Sequence, residues 1–116
     1  MKLIVRSEYL DKLISATGTP DIKVITGIRR SGKSKLLDSY IEHIKATIAD
    51  ANIVHIDFNS TEFERLTEYH ALNDYVQAAY IHGTRNFLCI DEVQMCKGFE
   101  RAINSIHASE KFDIYI

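Results

Sequence analysis

The chain has 116 residues, 46% apolar and 26% charged, the balance of a folded globular protein rather than of a disordered or fibrous one. A formal charge of −2 excludes a surface dominated by cations, so charge alone gives no indication of nucleic acid, although it does not forbid a local patch. No stretch approaches the roughly 20 apolar residues that cross a bilayer, and the residues at 1–6 turn charged too soon for a secretory signal. The two cysteines, Cys89 and Cys96, have neither metal nor redox spacing. The expectation is a reduced, cytoplasmic setting with no membrane partner.

Four β-rich runs alternate with helical patterns. A short helix opens the chain, with Ser7 as its expected cap and Leu10, Leu13 and Ile14 on its buried face. Thr17-Gly18-Thr19-Pro20 then turns into a first strand over 22–26. Leu37, Tyr40, Ile41, Ile44 and Ile48 recur at helical spacing after it. A second strand is expected over 52–58, where His55 alternates with Val54 and Ile56 and reads as a structural residue rather than a catalyst. Leu72, Tyr75, Val76, Ala79 and Tyr80 mark the next helix, with Gly83 as its stop signal. The third strand covers 86–91, Phe99, Ile103 and Ile106 mark another helix, and the fourth strand covers 113–116. The alternation predicts an α/β fold with a mainly parallel sheet covered on both faces. The last run stops on an apolar residue with no turn after it, so a longer domain is expected, of which 1–116 is one part.

Two motifs carry chemistry. Gly27-Ile28-Arg29-Arg30-Ser31-Gly32-Lys33-Ser34 fits G-x-x-x-x-G-K-[ST] at every fixed position, between a strand pattern and a helix pattern. Gly27 and Gly32 allow a loop that wraps a phosphate closely. Backbone N–H groups over 30–35, from Arg30 and Ser31 to Lys35, are expected to point at an anion from a helix N-terminus. Lys33 would reach the β- and γ-phosphates, and Ser34 would offer its hydroxyl to Mg²⁺. Arg29 and Arg30 leave two readings open, solvent or an acidic neighbour on one side and phosphate contact on the other.

The second motif is Phe87-Leu88-Cys89-Ile90-Asp91-Glu92, an apolar strand ending in two acids. Ligands of open α/β sheets collect beyond the carboxyl ends of the strands, which would bring Asp91 to the metal, with Glu92 placed to orient or deprotonate water. The catalytic candidates are therefore Glu92 and Lys33, and the metal candidates are Ser34 and Asp91. The five histidines show no metal-ligand spacing.

These residues, continued as Asp91-Glu92-Val93-Gln94 and followed by Phe99-Glu100, resemble a family of prokaryotic AAA-type ATPases. In that family the loop reads G-[IV]-R-R-x-G-K-[ST] and the acidic strand continues D-E-[IV]-Q; the stretch 6–13 fits more loosely. The resemblance implies a P-loop NTPase-like three-layer α/β/α domain with the order first-fourth-third-second strand. It also implies that 1–116 is a partial domain, lacking the polar sensor, fifth strand, arginine finger and C-terminal domain of unknown function that normally follow. Gln94 then either relays nucleotide state or is simply a surface residue. The first strand would be left with an open edge inviting self-association. The function implied is Mg-dependent ATP binding, with hydrolysis in the full-length protein coupled to conformational change. A nucleotide-dependent binding switch with little turnover and a small-molecule kinase stand as alternatives; no protein partner can be named.

Overall fold

The computed structural model describes residues 2–25 and 30–116, with side chains from residue 9 in the first segment and from residue 32 in the second. Helices α1 (Lys2–Ala16), α2 (Arg30–Thr47), α3 (Tyr69–Ala79) and α4 (Phe99–Ala108) alternate with strands β1 (Asn52–Asp57), β2 (Asn86–Asp91) and β3 (Asp113–Tyr115). The three strands are parallel in the order β1-β2-β3. Asn52 pairs with Asn86 and Asp57 with Asp91 at the two ends of the first ladder, while Phe87 pairs with Asp113 in the second.

The expected first strand reaches the sheet beside β3. Lys23 N–H donates to Ile114 O at 2.9 Å, Ile116 N–H to Lys23 O at 2.9 Å, and Ile25 N–H to Ile116 O at 2.8 Å. The spatial order is thus segment 22–25, β3, β2, β1, the expected first-fourth-third-second arrangement of an α/β P-loop NTPase-like domain. Pairing amounts to one parallel bridge, Lys23 to Tyr115, because β3 is only three residues long and offers few partners. Thr26 lies outside the described residues.

β2 is buried along its whole length, and its side chains alternate between two apolar layers. Leu88 and Ile90 point into the layer closed by Leu72 and Val76 of α3 and Ile103 and Ile106 of α4. Phe87 and Cys89 point into the other, closed by Leu13 of α1 and Leu36, Leu37, Tyr40 and Ile44 of α2. Covering on both faces is what turns β2 into a continuous apolar run in the sequence.

Three local expectations are corrected. α1 begins at Lys2, so Ser7 lies inside the helix and does not cap it. α3 ends at Ala79 because Tyr80 turns extended; Gly83, with φ +86°, belongs to the turn beyond. Tyr75 is exposed on α3 instead of joining the core, and meets Phe63 edge-on at 6.2 Å. Phe63 belongs to a 3₁₀ helix, Thr61–Leu66, capped by Ser60. α4 is preceded by Gly98 at its N-cap, whose φ is +73° and where a Cβ would sit 2.8 Å from Cδ1 of Tyr69, so both conformation and space require glycine.

A polar chain crosses the α1–α2 layer at the end of the sheet where β3 begins. Thr17 Oγ1 lies 2.6 Å from the Tyr40 hydroxyl, which donates to Tyr115 Oη at 2.5 Å, and Tyr115 donates to Asp113 Oδ2 at 2.9 Å. The same carboxylate accepts the Gly18 amide at 2.8 Å and pairs through Oδ1 with Lys23 Nζ at 2.5 Å, which also donates to Thr19 O at 2.6 Å. Burial raises the pKa of both phenols, and the Asp113 charge adds to it, so both remain protonated. The ion pair is largely withdrawn from water, and Lys23, Tyr115 and the Gly18 amide all converge on Asp113.

Asp113→Ala therefore leaves a buried ammonium, a phenol and an amide short of their acceptor. Urea unfolding is expected to show a loss of about 3–5 kcal/mol. A loss under about 1 kcal/mol, the scale of a solvent-screened surface pair, would show that the chain contributes little.

Candidate functional site

The carboxyl end of β2 and the first turns of α2 come together. Asp91 is the last residue of β2 and is 2% exposed. Ser34 lies on α2, and its hydroxyl donates directly to Asp91 Oδ2. The other carboxylate oxygen, Oδ1, is buried and accepts no hydrogen bond among the described residues. A buried acceptor without a partner costs free energy, all the more so on an acidic side chain. Such an oxygen suits a cation or a donor brought from outside.

Glu92 follows at once and breaks the strand. It takes the left-handed conformation, φ 61° and ψ 44°, and is 5% exposed. A non-glycine residue pays about 1–2 kcal/mol to sit there, and the short 3₁₀ turn Val93–Met95 locks it in place. Gln94 Nε2 donates to Glu92 Oε1.

Gly32, Lys33 and Ser34 are partly exposed and Lys35 is exposed. The first turn of a helix leaves its N–H groups without intrahelical partners and carries the positive end of the helix dipole. Among the described residues no carboxylate is ion-paired with Lys33. Arg30 and Ser31 lie on the backbone of the first turn of α2, and Gly27 falls outside the described residues, as does Arg29.

One acid at this end was not singled out from the sequence. Asp57 closes β1 directly across from Asp91, and Phe58 N–H donates to Asp91 O at 3.2 Å. The Asp57 carboxylate accepts the Asn59 amide at 2.9 Å, which ties it to its own turn. A strand ending in an acid was the available signal. His55 is exposed on β1.

The cysteines are outside this chemistry. Burial pushes the Cys89 thiol up to about 12, and the charge of Asp113 adds to it. Burial first, then Glu68 and Glu100, push Cys96 up to about 11. Neither is a thiolate near neutral pH. Among the described residues no three His, Cys, Asp or Glu side chains gather to hold a metal. A cation at Asp91 would therefore have to share its coordination with a bound anion and water, the habit of Mg²⁺.

The AAA domain family matches residues 19–116. The chain belongs to that family. It is also 34% identical over 116 aligned residues to a protein of Haemophilus influenzae described as uncharacterised. That alignment covers 98% of this chain and 29% of the relative, so the AAA domain here spans less than a third of the relative's length. No solved structure matches the chain significantly. Membership accounts for the architecture, an α/β P-loop ATPase-type domain, and places the chain in a nucleotide-binding class. Within this AAA domain, the structure brings Ser34 and Asp91 together, and Glu92 directly follows Asp91 in the chain.

The unpartnered oxygen makes a testable statement about Asp91. Asp91→Asn keeps an acceptor for Ser34 and removes a buried carboxylate, so the variant should melt at or above the parent temperature without metal or nucleotide. A melting point lower by about 5 °C or more, roughly 1 kcal/mol, would make Asp91 a structural residue.

Proposed function

We propose that this AAA domain binds ATP together with Mg²⁺ between the start of α2 and the end of β2. We propose further that the full-length protein hydrolyses it and couples the reaction to conformational change. The observation that carries this reading is the direct contact of Ser34 with Asp91 beside an unpartnered buried oxygen. A hydroxyl and a carboxylate set side by side are two hard oxygen donors of the kind Mg²⁺ takes from a protein when phosphate and water supply the rest. Bound there, the metal would neutralise charge on the phosphate oxygens.

The remaining roles follow from chemistry and position. Gly27 and Gly32 frame the phosphate loop, and the backbone amides of Arg30, Ser31, Gly32, Lys33, Ser34 and Lys35 are assigned to the phosphates. Lys33 supplies a point charge to the same group, both for binding and for stabilising charge during transfer. Ser34 and Asp91 hold the metal. Glu92, buried in a strained bend, is assigned as the group that orients or deprotonates the attacking water.

The setting is proposed to be cytoplasmic, on the strength of two free, buried thiols. No helix among the described residues is long and apolar enough to cross a membrane. Among those residues, no strand pairs with segment 22–25 on the side away from β3, and Val24 within it is 60% exposed. That edge is the proposed surface for self-association by strand pairing.

Two measurements test the reading. Lys33→Ala removes a charge-assisted contact of about 1.5–3 kcal/mol, so calorimetry should show Mg-ATP affinity falling roughly 10–100-fold. Parent-like affinity in folded protein contradicts the phosphate-loop assignment.

Glu92→Gln keeps the shape of the side chain but cannot take a proton. In the full-length protein it should retain Mg-ATP and lose about 10²–10⁴-fold in turnover. Unchanged turnover would put the base elsewhere. A parent protein that binds Mg-ATP tightly and releases no phosphate would be a binding switch instead.

A further inference from the structure

Gln94 is exposed at the surface, yet its amide reaches back to a carboxylate that is 5% exposed. Residues two apart on a helix do not face each other. They meet here because Glu92 is left-handed and the chain turns at once into the 3₁₀ segment Val93–Met95. Met95 N–H donates to Glu92 O and Cys96 N–H to Val93 O, each at 3.0 Å. Val93 and Cys96 are anchored in the apolar layer under α3 and α4. The bend is therefore rigid, and Gln94 extends from a fixed base.

A carboxylate oxygen only accepts, so the group facing Oε1 is the NH₂ end of the amide. A glutamate side chain has three rotatable bonds, and ordering it costs conformational entropy. A donor fixed on one of its oxygens reduces the number of positions that the carboxylate samples. A proton acceptor works only when it is held near its productive geometry, and a displacement of about 1 Å can cost 10²-fold in rate.

We propose that Gln94 is a positioning residue for Glu92, holding the carboxylate through Oε1 so that it meets the attacking water in one orientation. This rests on the reading of Glu92 as the group that handles that water. Because Gln94 is exposed, its loss should not disturb the core.

The test uses full-length protein and four variants: Gln94→Ala, Gln94→Glu, Glu92→Gln, and Gln94→Ala combined with Glu92→Gln. Steady-state phosphate release and Mg-ATP calorimetry are measured for each, with a thermal melt to confirm folding. Gln94→Ala should lower kcat about 10–100-fold while leaving the Mg-ATP Kd within about twofold, because the interaction acts on the reaction step and not on binding. Gln94→Glu has the same size but no donor, so it should lose at least as much; a space-filling role would leave it like the parent. Added to Glu92→Gln, the Gln94→Ala change should have no further effect, since its target is gone. Parent-like or faster turnover in Gln94→Ala, or losses that simply add in the double variant, overturn the proposal while the role of Glu92 stands. Full turnover in Glu92→Gln alone overturns both.

Discussion

A hydroxyl on α2 and a carboxylate at the end of β2, 57 positions apart in sequence, share one hydrogen bond. Nearly everything else in the molecule bears on whether they can meet. Asp91 is withdrawn from water and, among the described residues, only one of its oxygens is satisfied, an arrangement that costs stability in the isolated chain. A cation that supplied the missing partner would make it favourable. Strain sits in the next residue too, because Glu92 is held in a conformation that glutamate rarely adopts. Two adjacent acids that both burden the fold are more economically explained by a ligand they serve than by packing.

The scaffold holds this contact from two sides. β2 is clamped between the α1–α2 layer and the α3–α4 layer by strict alternation of its side chains, which fixes the height of Asp91. α2 is fixed at a second point, Tyr40, which hydrogen-bonds Tyr115 and through it Asp113 and Lys23. Asp113 begins β3 opposite Phe87, at the end of the sheet away from Asp91. Ser34 and Tyr40 are six positions apart on one helix, roughly 9 Å along its axis. The polar chain at one end thus helps to set the position of the hydroxyl at the other.

The legible parts of the sequence were those in which local pattern and tertiary role coincide. β2 reads as six residues ending in an acid because it is buried on both faces, and α4 because its Ile103 and Ile106 recur on one side. The order of strands came from the resemblance to a family, and the backbone pairing of Lys23 and Ile25 with β3 agrees with it. What stayed hidden depends on distance or on unusual conformation. Lys23 and Asp113 are 90 positions apart, and nothing local distinguishes Tyr40 from the other residues of its apolar stripe. Glu92 gave no sign of its left-handed backbone, since a glycine or asparagine would have been the usual marker. Ser7 misled because a serine inside a helix looks like one at its start. For the site, Ser34 and Asp91 were legible as separate motif positions, but their contact and the unpartnered oxygen were not.

The most direct test of the Ser34–Asp91 account is a double-mutant cycle on Mg-dependent nucleotide binding. ADP affinity would be measured by calorimetry with Mg²⁺ and with a chelator, for the parent, Ser34→Ala, Asp91→Asn and the pair together. If the two side chains hold one cation, their effects on the Mg²⁺-dependent part of the binding are coupled by about 0.5–3 kcal/mol, and the double variant is little worse than the poorer single one. Independent, additive effects, or a Mg²⁺ dependence that survives both substitutions, would contradict the account.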